Sequence, residues 1–148
     1  MLLQEIHNSP LQWKSVTYRP YNKKYEVSTT GLVRNKQTGK IVQQWEHASN
    51  TGTYMRVTLR VGQYRKNFRV HRLVAATFLP NTRRLPEVDH LDGNRLNNDV
   101  SNLEWVSSSE NQRRRAARGQ ASPNQYDPYA DKYGDTNPYE DLEDDIFD

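Results

Sequence analysis

"EVDHLDGNRLNNDVSNLEWVSSSENQRRR", residues 87–115, places one histidine, three aspartates and five asparagines in under thirty positions. Pro86 and Val88 predict a short strand that runs into a turn. Asp92-Gly93 and Asn97-Asn98 are turn chemistry, with Asn94 completing a polar loop. "NLEWV" predicts a second strand, and "VSSSENQRRRAARG" a helix. Ser107 can cap that helix with Glu110 three residues on, and Gly119 can end it. Strand, long loop, strand and helix make a ββα unit. Its first strand faces its helix, so Asp89 and Asn111 can meet across the gap although far apart in sequence.

A carboxylate oxygen and an amide carbonyl oxygen are hard ligands, suited to one Mg²⁺ or Mn²⁺ ion completed by water and substrate phosphate. Zinc would recruit more histidine or cysteine. His90 adjoins Asp89, and a near-neutral imidazole can take a proton from water. Neighbours in a regular strand point to opposite faces. Either the strand kinks at Asp89-His90, or base and metal flank a phosphate from different sides, which in-line displacement accepts. By residue chemistry alone, an Asp-His pair in a polar loop is most often plain surface.

The string "VDHLDGNRLNNDVSNLEWVSSSEN" resembles the HNH (ββα-metal) nuclease motif, in the variant of phage and intron homing endonucleases whose third position is asparagine. Upstream, "YEVSTTGLVRN" and "VHRLVAATF" resemble the small domain that often precedes it. The resemblance covers about residues 13 to 112 and implies a nuclease that hydrolyses phosphodiester bonds of double-stranded DNA with one divalent metal. It assigns Asp89 and Asn111 to the metal, and His90 to the activation of water. Asn102 would hold the loop and orient the His90 ring. The resembled enzymes continue into a helical segment that reads DNA, where this chain has "DTNPYEDLEDDIFD". The competing reading is a non-catalytic DNA-binding module that keeps the HNH fold. An RNA-binding module lacks its aromatic signature here.

Outward from the motif, "WKSVTYRPYNKKYEVSTTGLVRNKQTGKIVQQW" predicts short strands joined by tight turns. In "YMRVTLRVGQYRKNFRVHRLVAATF", Met55, Val57, Leu59 and Val61 alternate with Arg56, Thr58 and Arg60. Gly62-Gln63 is the natural hairpin turn, with Phe68 and Val70 on the returning strand. The predicted exposed face carries Arg56, Arg60, Arg65, Lys66 and Arg69, candidates for contact with DNA backbone. From His71 the spacing turns helical until Pro80 stops it. His71 itself reads as a packing or capping residue. Arg113, Arg114, Arg115 and Arg118 sit in the later turns of the last helix, where they suit its dipole or meet phosphate. Trp13, Trp45 and Trp105 read as core aromatics.

Charge divides the 148 residues more sharply than the net +3 suggests. Before Gly119 there are 20 Lys and Arg against nine Asp and Glu; from Gly119 on, nine acids face one Lys. A basic body draws polyanions by releasing their counterions. The acidic stretch has too few apolar residues to offset ordering entropy and reads as disordered in isolation. It could mimic phosphate on the basic surface, dock on a basic protein partner, or aid solubility. No cysteine is present, which excludes disulfides and thiolate zinc sites and suits a reducing cytoplasm. No apolar run is long enough to span a membrane, and the first residues do not read as a secretory signal. The expected architecture is α+β: a leader at 1–12, a small antiparallel β-rich region with a short helix at 13–80, the ββα unit at 81–118 and the acidic tail at 119–148. The sequence leaves oligomeric state open.

Overall fold

The computed structural model describes residues 9–49 and 52–120; most of the leader and most of the acidic tail lie outside the described residues. Three small antiparallel sheets surround one short helix. The first orders β1 (Trp13–Ser15), β2 (Tyr25–Ser28) and β3 (Val33–Asn35) side by side. The second orders β4 (Trp45–Ser49), β5 (Gly52–Val61) and β6 (Tyr64–Arg69), and the third pairs β7 (Glu87–His90) with β8 (Leu103–Val106). The expected single N-terminal sheet is thus two. Beyond β3 the chain keeps only an isolated bridge between Arg34 and Ile41 before β4 opens a separate sheet.

Helix α1 (Val70–Phe78) sits at the centre and packs on β2, β5, β6, β7 and β8. Its apolar residues do not keep to one stripe: Val70, Leu73, Val74 and Ala75 are all buried, as a helix enclosed on several sides requires. Burying each Leu or Val contributes about 1.5–3 kcal/mol. Val27 and Val33 from the first sheet, Val57, Leu59 and Phe68 from the second, and Val88 and Leu103 from the third complete one continuous core. Val70 opens the helix rather than closing the preceding strand, because β6 ends at Arg69. The β5–β6 hairpin turns at Gly62-Gln63 as its sequence predicts, with Val61 opposite Tyr64.

Helix α2 (Ser108–Ala117) starts where the capping pattern places it, with Ser107 Oγ accepting from the Glu110 backbone N–H at 3.1 Å. It ends in a Schellman pair, Gln120 N to Arg115 O and Gly119 N to Ala116 O, which needs the positive φ that Gly119 supplies.

The β7–β8 loop is tied to the N-terminal part of the chain at three points. Val100 N donates to Thr29 O at 2.8 Å, Ser9 donates through N and Oγ to Asp99, and Gly31 approaches Asn98 so closely that an added Cβ would lie 3.1 Å from the Asn98 Cβ. The N-terminal region and the ββα unit therefore share one core and one set of bonds. Asp99 also caps the 3₁₀ turn Val100–Asn102 by accepting from Ser101 N. Burial works to raise the Asp99 carboxyl, but the hydrogen bonds from Ser101 and Ser9 outweigh it and hold its pKa below the usual value. Its folded pKa being depressed, the stabilisation is complete above the unfolded value of about 3.9 and is lost as pH falls below it through the folded value. Asp99→Asn is expected to lower stability by about 1 kcal/mol in urea titrations at pH 6. The gap from the parent should narrow as the pH is taken below about 4. A gap that does not change with pH would show that the ionised carboxylate is not what holds the loop.

Candidate functional site

Alternation along β7 decides where the central side chains go. Glu87 and Asp89 point to α2, while Val88 and His90 point to the core, α1 and the second sheet. No kink is needed at Asp89-His90: the two groups occupy opposite faces at the end of one strand, and both are about 95% buried.

On the α2 side, Asn111 Nδ2 donates to Glu87 Oε1 at 2.6 Å. Asn111 is 2% exposed, and its Oδ1 is buried with no hydrogen-bond partner. One turn further along the same helix face, Arg114 Nη1 reaches Asp89 Oδ2 at 3.0 Å, and Arg118 grips both Asp89 oxygens at 2.8 and 3.0 Å. Burial works to raise the Asp89 carboxyl, but the bonds from Arg118 and Arg114 outweigh it and hold it below the usual carboxylate range. Asp89 is thus kept ionised, and its charge is balanced by arginine.

On the core side, His90 Nε2 lies 2.8 Å from Asn98 Oδ1. An amide oxygen only accepts, so Nε2 carries the proton and Nδ1 keeps its lone pair. Burial lowers the imidazole pKa, against the opposing pull of the Asn98 bond and of Asp89. The ring packs beside His71, with centroids 4.9 Å apart, and His71 in turn stacks on Tyr54 at 5.2 Å. His71 is buried, and burial, followed by the charge of His90, pushes its pKa well below the ordinary value. It packs, as its place at the start of a helix suggests.

Asn102 holds the loop and makes no hydrogen bond to the His90 ring. Its Nδ2 donates to Asp92 Oδ1 and Asn97 O, and its Oδ1 accepts from Asp92 N. The ring's partner is Asn98, which the sequence shows only as half of an Asn-Asn turn. Nothing local distinguishes a turn asparagine from one that the first sheet presses inward through Gly31. Asp92, Asn94 and Asn97 do bond within the loop.

The candidate DNA contacts divide. Arg56 is 9% exposed and lies near Trp45, its cross-strand neighbour, so it is not part of a solvent-facing surface. The residues of β5 do alternate, but Tyr54 and Trp45 on the face of Arg56 are buried too: that end of the sheet is covered. Lys66 pairs with Leu59, and its Nζ reaches over the Phe68 ring, which places it on the opposite face from the arginines. Arg65 and Arg69 are exposed and share the face of Arg60. On α2, Arg113 pairs with Glu110, and Arg114 is shared among Glu110, Glu104 and Asp89. Arg115 alone of the three lacks a carboxylate partner among the described residues and instead donates to Tyr54 Oη at 3.0 Å. Tyr54 and Arg95 went unnoticed in the sequence. The signal for Tyr54 was its place two residues before Arg56 on the polar face of β5.

Among the described residues no group of three His, Cys, Asp or Glu could hold a metal, and no helix is long and apolar enough to cross a membrane.

Comparison with known proteins places this arrangement. The family model described as HNH endonuclease matches residues 68–113. The chain is 37% identical over 109 residues to the DNA endonuclease I-HmuI of Bacillus phage SP01, which covers 74% of this chain and 60% of that enzyme. It is 41% identical over 87 residues to the uncharacterized HNH endonuclease L245 of Acanthamoeba polyphaga mimivirus, covering 59% of this chain and 25% of that protein. The solved structure of I-HmuI, described as DNA binding and cleavage by an HNH homing endonuclease, matches with a TM-score of 0.61 at 37% identity, over 74% of this chain and 60% of that one. This chain therefore spans between a quarter and three fifths of the length of these relatives. Strand, loop, strand and helix, the residues they carry and these matches agree: residues 68–113 match the HNH endonuclease family model, within an α+β fold similar to that of the homing endonuclease I-HmuI.

Proposed function

We propose that the protein is a divalent-metal-dependent endonuclease that hydrolyses DNA phosphodiester bonds at the end of β7. The observation that carries this reading is a buried imidazole, held through Nε2 by Asn98, on the same strand end as a carboxylate that faces a helix bearing an unpartnered amide oxygen. A protein that only bound DNA would have no use for a fixed proton acceptor there.

The residues fit a hard cation. Asn111 Oδ1 has no partner, and leaving it so in a buried place costs about 1–3 kcal/mol. A metal ion would meet that need, and Asp89, on the same face of β7 as the Glu87 that bonds Asn111, would supply a negative oxygen in exchange for a bond to Arg114 or Arg118. Asp89 and Asn111 would hold Mg²⁺ or Mn²⁺, which when bound offsets the charge that builds on the phosphate and the departing oxygen. Glu87 fixes the Asn111 amide so that its oxygen, and not its nitrogen, is the free end. Arg114 and Arg118 keep Asp89 ionised and in place.

His90 takes the proton from water at Nδ1. Its Nε2–H stays with Asn98, which fixes both the tautomer and the ring plane. His71 and Tyr54 wall the ring and keep bulk water from its core side. Asn102, with Asp92 and Asn97, stiffens the loop from which Asn98 projects. Substrate DNA lies along the basic face of the second sheet, where Arg60, Arg65 and Arg69 stand.

Purified protein should nick or cut plasmid DNA with Mg²⁺ or Mn²⁺ and stop on chelation. His90→Ala should lose about 10²- to 10⁴-fold in rate while DNA binding survives. A variant that cuts as well as the parent sinks the assignment of His90. Asn98→Ala leaves the imidazole in place but free to turn, and should cost up to about 10²-fold in turnover with little change in DNA affinity. Equal loss of both would instead mark Asn98 as a residue of the binding surface.

A further inference from the structure

Arg69, Arg95 and Arg115 come from three different elements, the end of β6, the β7–β8 loop and α2, and meet at one ring, that of Tyr54. The Arg69 and Arg95 guanidinium carbons lie 4.9 and 5.6 Å from the ring centroid, and Arg115 Nη2 donates to the hydroxyl. The ring is buried and stacked on His71, so the platform is fixed, and its centroid lies 6.3 Å from that of His90. Gly52 makes room for the Arg95 guanidinium, since an added Cβ there would collide with it.

Among the described residues no carboxylate lies within ion-pair distance of any of the three. The contrast within α2 is direct. Arg113, Arg114 and Arg118 are each neutralised by Glu110, Glu104 or Asp89, while Arg115 has none. Two donors of the collar, Arg95 Nη2 and Arg115 Nη1, are also buried without a hydrogen-bond partner. Gathering like charges against an aromatic ring and leaving their N–H groups unmet are both unfavourable, and a single anion relieves both. The forked donors of guanidinium match the oxygens of a phosphodiester.

We propose that the Tyr54 collar of Arg69, Arg95 and Arg115 is a seat for one backbone phosphate of the DNA strand that passes His90, a near neighbour of the phosphate to be cleaved. This rests on the reading of His90 as the base. Successive phosphates of a strand advance about 3.4 Å along the duplex axis, so a seat this near His90 takes the adjacent phosphate or the next. The collar thereby sets which bond reaches the imidazole.

The test begins without cleavage. Affinity of the full chain for a fluorescent mixed-sequence duplex is measured by anisotropy across salt concentrations in chelator. Arg95→Gln and Arg115→Gln should each reduce the slope of log K against log salt, and because they hold the same phosphate the double variant should lose no more than about 0.9 in all. Arg34→Gln, which removes an arginine already paired with Glu26, should leave the slope alone. Arg95→Lys, which keeps the charge, should restore most of it, and circular dichroism of the Gln variants matching the parent's shows that they are folded. Unchanged slopes in both Gln variants, or an equal drop in Arg34→Gln, overturn the seat. Position is read on a duplex with a mapped cut, by replacing single phosphates with neutral methylphosphonate. A penalty next to the cut that the parent feels and Arg95→Gln does not supports the assignment; the same penalty in both refutes it. If the parent cuts no duplex at all, the nuclease reading falls while the salt slopes still decide the seat.

Discussion

A four-residue strand carries the whole arrangement, because β7 is short enough to end at the site and regular enough to sort its side chains by face. Glu87 and Asp89 look toward α2; Val88 and His90 look into the body of the protein. The alternation costs nothing beyond the ladder with β8, in which Asp89 lies opposite Glu104 and His90 opposite Leu103. It places acid and imidazole on the two sides of one backbone. Each then acquires its own environment: cations and an amide for Asp89, aromatic rings and a buried asparagine for His90. Two groups that are covalent neighbours are thereby kept from simply pairing with one another.

That separation holds only if both flanks are rigid. The α2 flank is set by its Ser107 cap and its Schellman end, which fix the length of the helix and so the phase of Asn111, Arg114 and Arg118 against β7. The core flank depends on residues far away in sequence. Thr29, Gly31 and Ser9 hold the loop that presents Asn98, and α1 brings His71 against the imidazole. A ββα unit of this size buries little by itself; here its Val88 and Leu103 complete a core that the two N-terminal sheets and α1 begin. The N-terminal region is accordingly part of the site's scaffold as well as a surface beside it.

How much of this was legible in the sequence follows from the range of each signal. Caps, turns and alternation are local, so α2, the β5–β6 hairpin, the end of α1 at Pro80 and the strand–loop–strand–helix order could all be read directly. The face of Asp89 and His90 was also legible in principle, since period two admits only opposite sides once a kink is absent. Arg56 and Lys66 show the limit. Which face of β5 is polar is visible in the alternation, but that Trp45 and Tyr54 cover one end of it depends on β4 and α1 arriving there. Lys66 follows from register alone: opposite Leu59, it stands at the edge of the apolar face, its charge reaching over Phe68. The role of Asn98 was least legible, because an asparagine after an asparagine looks like a turn wherever it points.

The allocation of arginines gives the basic body its meaning. A count of 20 cations against nine acids before Gly119 says only that polyanions are attracted. The structure spends the acids unevenly. Glu110, Glu104 and Asp89 are gathered on one flank of α2 and cancel Arg113, Arg114 and Arg118 there, while Glu26 cancels Arg34 on the first sheet. Three guanidiniums without a carboxylate partner, those of Arg69, Arg95 and Arg115, gather instead at the Tyr54 ring. Field strength depends on this residue-by-residue cancellation more than on the total, because a paired guanidinium presents a dipole to solution and an unpaired one a charge. On the function proposed above, a DNA strand would meet that cluster beside His90, whose ring centroid lies 6.3 Å from that of Tyr54.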